Sequence, residues 1–227
     1  MSTKNVFFDS NVILGFCFAG TDKWGSAAVA AMETSDVKYT SKGVWRECFG
    51  DEEKDGRAHT MHKKLRYQVL AFCRYLRDNG SNDLYNLSDG GEIPDKMMKF
   101  SLLLESIKKE IKQGGTVNEL WAKTLLSHIE DMLLQAKSKL KEQLKFHDRR
   151  APYTDLYKEL SNEITNRGID LDKDDLEIIL DAHDLAITVE RLILVTADKK
   201  HIVKATQIIR KLTKIYNVCY LEKFSRA

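Results

Sequence analysis

An α/β fold with a central parallel sheet is predicted by three features of this sequence. Short apolar runs typical of buried strands alternate with longer stretches of helical periodicity. The first run, 5–8, and the strongest run, 192–196, are each followed closely by an aspartate. With 43% hydrophobic and 31% charged residues, the 227-residue chain has the composition of a globular protein and not of a disordered one. Strands that alternate with helices form a parallel sheet covered on both faces, which gives three layers.

The N-terminal part predicts two strands and three helices. The first strand is rich in aromatic and β-branched residues, and turn-forming residues follow it at once. Ser10 or Asn11 has a side chain suited to cap the helix that follows. In chain order the predicted elements are a strand at 5–8, a helix at 12–19, a helix at 23–34, a strand at 37–40, and a helix that is capped by Ser41 and carries Glu47.

The middle of the chain, residues 51–169, predicts a helical subdomain inserted into the α/β domain. This stretch is highly charged and poor in strand signals. Its apolar residues recur at helical spacing around Phe100 and again over residues 121–144. The α/β domain itself is predicted to consist of residues 1–50 and 170–227.

The C-terminal part returns to alternating helices and strands. Asp172 or Asp174 is expected to cap a helix that continues to Ala186. After it come an apolar strand at 192–196, a basic amphipathic helix at 200–213 and a closing strand at 218–221.

Charge is unevenly distributed along the chain, although the formal net charge is only +2. Residues 54–77 contain seven basic residues and one acid, and residues 199–214 contain six basic residues and no acid. Basic stretches beside a group of acids can hold phosphates and metal ions in one place. A solvated helix face explains any single stretch equally well.

Cysteine spacing and hydropathy indicate a protein from a reducing compartment. Cys17, Cys48, Cys73 and Cys219 lack the paired spacing of a zinc ribbon or a disulfide framework, so they are expected to be core residues. We find no signal peptide and no apolar run of about 18 residues. A cytoplasmic location without a membrane partner is therefore expected.

Acidic residues follow two strands of the predicted sheet. Asp9 follows the first strand and Asp198 follows the strand at 192–196, so both are expected at the carboxyl edge of a parallel sheet. Carboxylates that converge there raise each other's pKa, and a divalent cation relieves their repulsion. Further candidates for such a cation site are Glu47, Asp181 and Asp184, and spacing alone does not separate the last two.

These acidic segments resemble, in order, the four motifs of the PIN-domain family. The segments are 6–14 with its Asp-Ser-Asn, 40–47 with its Thr-Ser and Glu, 181–186, and 194–201 with its Thr-Ala-Asp. The resemblance implies a three-layer PIN-like fold with a helical insertion. It also implies that Asp9, Glu47, Asp181 and Asp198 are catalytic and bind Mg²⁺ or Mn²⁺, with Asp184 as an additional ligand candidate. Ser10, Asn11 and Thr196 would support these ligands by hydrogen bonding.

The resemblance further implies a metal-dependent endoribonuclease that cleaves single-stranded RNA. Toxins of toxin–antitoxin pairs and nucleases of RNA processing or defence are the roles it suggests. The residues expected to hold the RNA backbone are Lys63, Lys64, Lys199, Lys200, Lys204 and Arg210. The apolar faces of the helical insertion are expected to pack on the domain, in a homodimer, or against a protein partner such as an antitoxin.

Other interpretations fit some of the same residues. A PIN-like module could bind RNA or protein without cutting it, and Asp9 could simply cap the helix that follows. A phosphatase of the haloacid dehalogenase type also has an aspartate after its first strand. That chemistry needs a second acid two residues later, where this chain has Asn11.

Overall fold

A five-stranded sheet forms the centre of the computed structural model, which describes residues 3–20, 23–79, 113 and 119–224. Its strands are β1 (Asn5–Phe8), β2 (Val37–Ser41), β3 (Lys145–His147), β4 (Leu192–Thr196) and β5 (Asn217–Tyr220). They lie in the order β3-β2-β1-β4-β5, and every neighbouring pair is parallel. The predicted α/β class with a central parallel sheet is confirmed.

Helices cover both faces of the sheet and complete the three layers. The described helices are α1 (Ser10–Cys17), α2 (Gly25–Glu33), α3 (Lys42–Phe49), α4 (Arg57–Asn79), α5 (Glu119–Gln143), α6 (Thr154–Asn166), α7 (Lys173–Ala186), α8 (Thr206–Leu212) and α9 (Leu221–Phe224). On one face α1 packs against α2 and α5, and on the other α6 packs against α7 and α8. Buried side chains of the strands and of both helical layers form one continuous core.

β1 lies in the middle of the sheet and marks the point where the strand order reverses. The chain adds β2 and β3 on one side of β1, and then adds β4 and β5 on the other. Phe8 pairs with Val195, so β1 and β4 end at nearly the same level. Asp9 and Asp198 therefore leave the sheet on adjacent strands, at the position where open α/β sheets form their ligand sites.

β3 was not predicted from the sequence, and it lies within the segment assigned to the helical insertion. The strand has three residues at the edge of the sheet, two of them exposed, so no apolar alternation marks it. Nearby, Ala136, Leu140 and Leu144 are buried in the main core. The end of α5 and the strand after it are thus built into the α/β body.

The remaining described part of the insertion is a hairpin of α4 and α5. Val69, Phe72, Ala122 and Ile129 form a small separate core between these two helices. α4 also packs on α3 and α5 packs on α1, which fixes the hairpin to the α/β body at its base. The helix predicted around Phe100 lies outside the described residues.

Two helices begin at other residues than predicted, and a local hydrogen bond explains each difference. α1 begins at Ser10 because Asp9, and not Ser10 or Asn11, is its N-cap. The basic helix after β4 begins only at Thr206. Asp198 accepts two backbone hydrogen bonds from the residues after it and so holds the start of this segment in a turn.

Candidate functional site

Asp9 is fully buried between the carboxyl end of β1 and the first turn of α1. Its Oδ1 accepts a 2.9 Å hydrogen bond from the backbone N–H of Val12, and its Oδ2 accepts one from the Thr196 hydroxyl. Burial raises the pKa of Asp9 to about 6, and the charge of Glu47 adds to the rise, while three hydrogen bonds oppose it. Asp9 is both a helix cap and a member of an acidic cluster, two roles that the sequence presents as alternatives.

Asp198 lies beside Asp9 in the turn that follows β4. Its Oδ1 accepts the backbone N–H groups of Lys200 and His201 at 2.9 and 3.0 Å, and its Oδ2 lies 2.8 Å from Nδ1 of His201. Thr196 joins the two aspartates, because its hydroxyl donates to Asp9 and accepts the Asp198 backbone N–H at 2.9 Å. The Asp198 side chain is 17% exposed, so a ligand in solution can reach it.

Asp175, in the first turn of α7, is the third carboxylate of this cluster. Burial and, to a smaller extent, the charges of Asp172, Asp198 and Asp9 together raise its pKa to about 7. Carboxylate oxygens of Asp175 and Asp198 lie within 4.8 Å of each other, so Asp175 belongs to the same cluster as the strand-end aspartates.

Asp175 was not predicted as a site residue, although the sequence contains a signal for it. Asp175 precedes Ile178, Ile179 and Ala182 by three, four and seven residues, and all three are buried. An acid therefore occupies the apolar face of α7, which is the face directed towards the sheet. Such a residue is a better candidate for a site than an acid on a solvated face.

Asp175, Asp198 and His201 have the spacing needed to hold a metal ion. One ligand atom from each lies within 4.8 Å of the other two. Burial is the main cause of the raised pKa values of Asp9 and Asp175, and neighbouring acids add to both. A divalent cation would offset both the burial of these charges and their repulsion. The donor set of this cluster therefore fits a divalent cation.

Glu47 reaches the cluster from α3, where Arg57 pairs with it. Oε1 of Glu47 lies 2.5 Å from Nη1 of Arg57. The same Nη1 donates to Oγ of Ser10 at 3.1 Å, and Nη2 donates to Oδ1 of Asn11 at 3.1 Å. Asn11 also bonds Asp9. Arg57, which was not predicted as a site residue, therefore connects three residues that were predicted: Ser10, Asn11 and Glu47.

Asp181 lines the same cleft but has different partners. It bonds the Ser41 hydroxyl and lies 3.4 Å from Nε of Arg149. A Cβ on Gly43 would come within 2.9 Å of its Oδ2, so a glycine leaves room for this carboxylate at the N-terminus of α3. The α7 acid that joins the strand-end aspartates is thus Asp175.

Asp184 is fully buried, and protein donors surround its carboxylate. Its Oδ2 lies 2.7 Å from Nε2 of His147 and accepts Nε–H of Arg150 at 3.0 Å, and its Oδ1 accepts the Tyr153 hydroxyl. Burial by itself raises the pKa of Asp184, but these hydrogen bonds outweigh it and lower the pKa to about 2. Asp184, a ligand candidate from the sequence, therefore acts as a clamp that ties β3 and the following loop to α7.

An open cleft of about 950 Å³ runs alongside the acidic cluster. Asp175, Glu47 and Asp181 line it. Its basic side chains are Lys42, Arg46, Lys54, Arg57 and Arg149. Nine acids also line the cleft, and acids of the lining pair with Lys42, Arg46, Arg57 and Arg149. The cleft is therefore acidic on balance, which suits a cation more than a bare phosphate.

The six basic residues predicted to bind RNA are divided between two ends of the molecule. Lys63 and Lys64 are exposed on α4, one turn beyond Thr60 of the cleft, and Lys199 and Lys200 follow Asp198 directly. Lys204 is exposed in the turn that leads into α8. Arg210 lies in the last turn of α8 beside Tyr216, near the amino end of β5.

The fold and the site together define a three-layer α/β protein with an acidic cluster at the switch point of a parallel sheet. Compared with family models, with curated proteins and with solved structures, the chain finds no match. Among the described helices, none combines the length and the apolar character that crossing a membrane requires.

Proposed function

We propose that this chain is a PIN-like, divalent-metal-dependent endoribonuclease that cleaves phosphodiester bonds of single-stranded RNA. The observation that carries the proposal is the convergence of Asp9, Asp175 and Asp198 where β1 and β4 end. Thr196 bonds both Asp9 and Asp198, and carboxylate oxygens of Asp175 and Asp198 lie within 4.8 Å of each other. Crowded carboxylates cost stability in the absence of a cation, so their presence at a ligand-binding position supports a metal site.

Mg²⁺ or Mn²⁺ is the proposed cofactor, because carboxylate oxygens dominate the donor set. Such an ion, when bound, polarises a phosphodiester and lowers the pKa of a water molecule. Hydrogen bonds keep these oxygens in place. Thr196 and Asn11 bond the Asp9 carboxylate, and the backbone N–H of Lys200 bonds the Asp198 carboxylate. Preorganised oxygens of this kind need little rearrangement when a cation arrives.

The cleft is acidic on balance, so a polyanionic substrate would bind there mainly through the metal ion. Lys42, Arg46 and Arg149 are paired with Asp148, Asp51 and Glu177, and a phosphate backbone would have to compete with these acids for them. The proposal of RNA as the substrate rests on the resemblance of the strand-end motifs to PIN domains. Toxin, processing and defence roles are all consistent with this activity.

Cleavage of end-labelled single-stranded RNA with Mn²⁺, Mg²⁺ or EDTA tests the proposal. The wild type should cut only with metal, and Asp175→Asn and Asp198→Asn should each lose the activity. Asp170→Asn is the control, because Asp170 is exposed and lies outside the lining of the cleft. Single-stranded DNA of the same sequence measures the preference for RNA.

Cutting that survives Asp175→Asn and Asp198→Asn would contradict the proposed site. Cutting in EDTA would contradict the metal requirement. If the wild type binds RNA but never cuts it, the chain is better described as a PIN-like binding module.

A further inference from the structure

We infer that the site takes one divalent cation, because Arg57 provides the second positive group at Glu47. The inference rests on the proposed metal-dependent function and adds the number of ions to it. It starts from the contact between Glu47 Oε1 and Arg57 Nη1, which are 2.5 Å apart.

Arg57 occupies the side of the cluster where Glu47 would otherwise bind a second ion. Its guanidinium makes three contacts, with Glu47 at 2.5 Å and with Ser10 and Asn11 at 3.1 Å each. In two-metal sites the ions lie about 3.5–4 Å apart and share carboxylate ligands. A second divalent ion on Glu47 would have to displace this guanidinium or be repelled by it at short range.

The first ion does not need Glu47. The three side chains with suitable spacing are Asp175, Asp198 and His201, whose ligand atoms lie within 4.8 Å of one another. Arg57 contacts none of these three in the described structure. The cluster is therefore divided into a side that fits a cation and a side that an arginine already neutralises.

The backbone before Arg57 is built to fix its position. Gly50 has a φ of 76°, a conformation that favours glycine, and it pairs with Asp55 in an antiparallel bridge. A Cβ on Gly56 would come within 2.3 Å of the Gly50 nitrogen, so the turn closes with no space for a side chain. Ala58, next to Arg57, is buried in the main core. Arg57 is thus held over the site by packed backbone on both sides.

Arg57 keeps N–H groups free for a substrate. Of the five N–H groups of a guanidinium, two on Nη1 go to Glu47 and Ser10 and one on Nη2 goes to Asn11. Nε–H and the second Nη2–H have no partner among the described residues. Guanidinium N–H groups donate to phosphate oxygens. Arg57 can therefore offset the negative charge of a phosphodiester together with the single ion.

Mn²⁺ titration of the full chain, followed by electron paramagnetic resonance and calorimetry, tests the number of ions. The wild type should bind one ion, and Arg57→Gln should bind two because Glu47 is then released. Arg57→Lys keeps the positive charge and should remain at one ion. Arg46→Gln is the control, because Arg46 lines the same cleft but pairs with Asp51 at 3.5 Å and not with Glu47.

The outcomes separate this inference from the proposed function. Two ions in the wild type, or one ion in Arg57→Gln, would overturn the role of Arg57 while leaving the metal site intact. A second ion in Arg46→Gln would show that any lost charge in the cleft has this effect, which also overturns it. Absence of Mn²⁺ binding in the wild type would overturn the proposed function itself. Thermal unfolding of each variant, without metal, checks that the fold is retained.

Discussion

Asp175 and Asp181 lie six residues apart on α7, and their partners predict different effects of substitution. Asp175 is repelled by Asp9 and Asp198, whereas Asp181 is bonded to Ser41 at the N-terminus of α3. We expect Asp175→Asn to weaken Mn²⁺ binding by at least about tenfold to a hundredfold, since even indirect ligand contacts have effects of that size. Asp181→Asn should leave the affinity unchanged.

Calorimetric titration of both variants with Mn²⁺ measures this difference. Burial raises the pKa of Asp181, so its charge is not favoured in the fold, and the neutral variant should remain as stable as the wild type at neutral pH. Equal losses of Mn²⁺ affinity in both variants would restore Asp181 as a ligand, as the PIN resemblance implies.

The raised pKa of Asp9 predicts that the metal-free protein loses stability as the pH rises. Its pKa is about 6 in the folded chain against 3.8 for an aspartate in water, so the folded state holds the proton more tightly than the unfolded state. The stabilisation is complete below pH 3.8 and is lost as the pH rises through about 6. For this fully buried group the shift corresponds to roughly 3 kcal/mol. Asp175 adds a further loss of stability, which continues up to about pH 7.

Urea unfolding in EDTA at a series of pH values tests this dependence. The difference between the wild type and Asp9→Asn reports the contribution of Asp9 together with its coupling to Asp175, because the variant removes the Asp9 charge that raises the pKa of Asp175. The stability of the wild type should decline relative to that of the variant between about pH 4 and pH 7. With saturating Mn²⁺ the decline should vanish, since the ion binds the ionised form. If the stabilities of the wild type and Asp9→Asn change in parallel with pH in EDTA, the raised pKa of Asp9 is contradicted.

The sequence identified Asp9 and Asp198 because a strand end is visible in an apolar run. Asp175 is a different case, since its role depends on which face of α7 meets the sheet. Arg57 is harder still, because it reaches Glu47 from across a turn whose shape depends on Gly50 and Gly56. Contacts between separate elements leave no periodic signal in the sequence.

At the scale of elements, Asp184 predicts how β3 is held to the rest of the molecule. His147, Arg150 and Tyr153 all bond this buried carboxylate. Removing the carboxylate leaves its partners without their acceptor, which costs about 1–3 kcal/mol because His147 and Tyr153 are part-buried while Arg150 is half exposed and can bond water. We expect Asp184→Ala to lose stability in that range.

Urea unfolding at neutral pH measures the effect, with Asp170→Ala as the control because Asp170 is exposed. The pH dependence has the opposite sign to that of Asp9. The pKa of Asp184 is lowered to about 2, so its contribution is present above 3.8 and is lost as the pH falls towards 2. A loss below about 1 kcal/mol at neutral pH would show that the network is not a clamp.

Four of the five strands could be predicted from the sequence, and the reason lies in their burial. In β1 and β4 nearly every residue is buried, so their apolar runs stand out from the helices beside them. β3 has no such run, since its residues are Lys, Phe and His and it pairs only with β2. Its place at the edge of the sheet depends on the clamp at Asp184 and on the packing of α5, which sequence periodicity does not reveal.

At the scale of the whole molecule, the basic residues lie at two opposite ends of the sheet. Lys200 follows Asp198 at the carboxyl edge, close to the acidic cluster. Arg210 lies at the other end of α8, beside Tyr216 and the amino end of β5. An RNA strand in the cleft should therefore contact Lys200 and not Arg210, although the sequence places both in one basic stretch.

RNA binding at several salt concentrations distinguishes these two positions. With Asp198→Asn as the background, which prevents cutting, Lys200→Ala should weaken binding and reduce the salt slope by about one unit. Arg210→Ala also removes one positive charge but should leave the RNA affinity and the salt slope unchanged, so it is the matched control. Lys64→Ala, one turn beyond the cleft residue Thr60, should resemble Lys200→Ala if RNA passes along α4. The opposite result would be a reduced salt slope in Arg210→Ala and an unchanged salt slope in Lys200→Ala. It would place the RNA at the amino edge of the sheet, away from the carboxylates, and would argue against cleavage at this site.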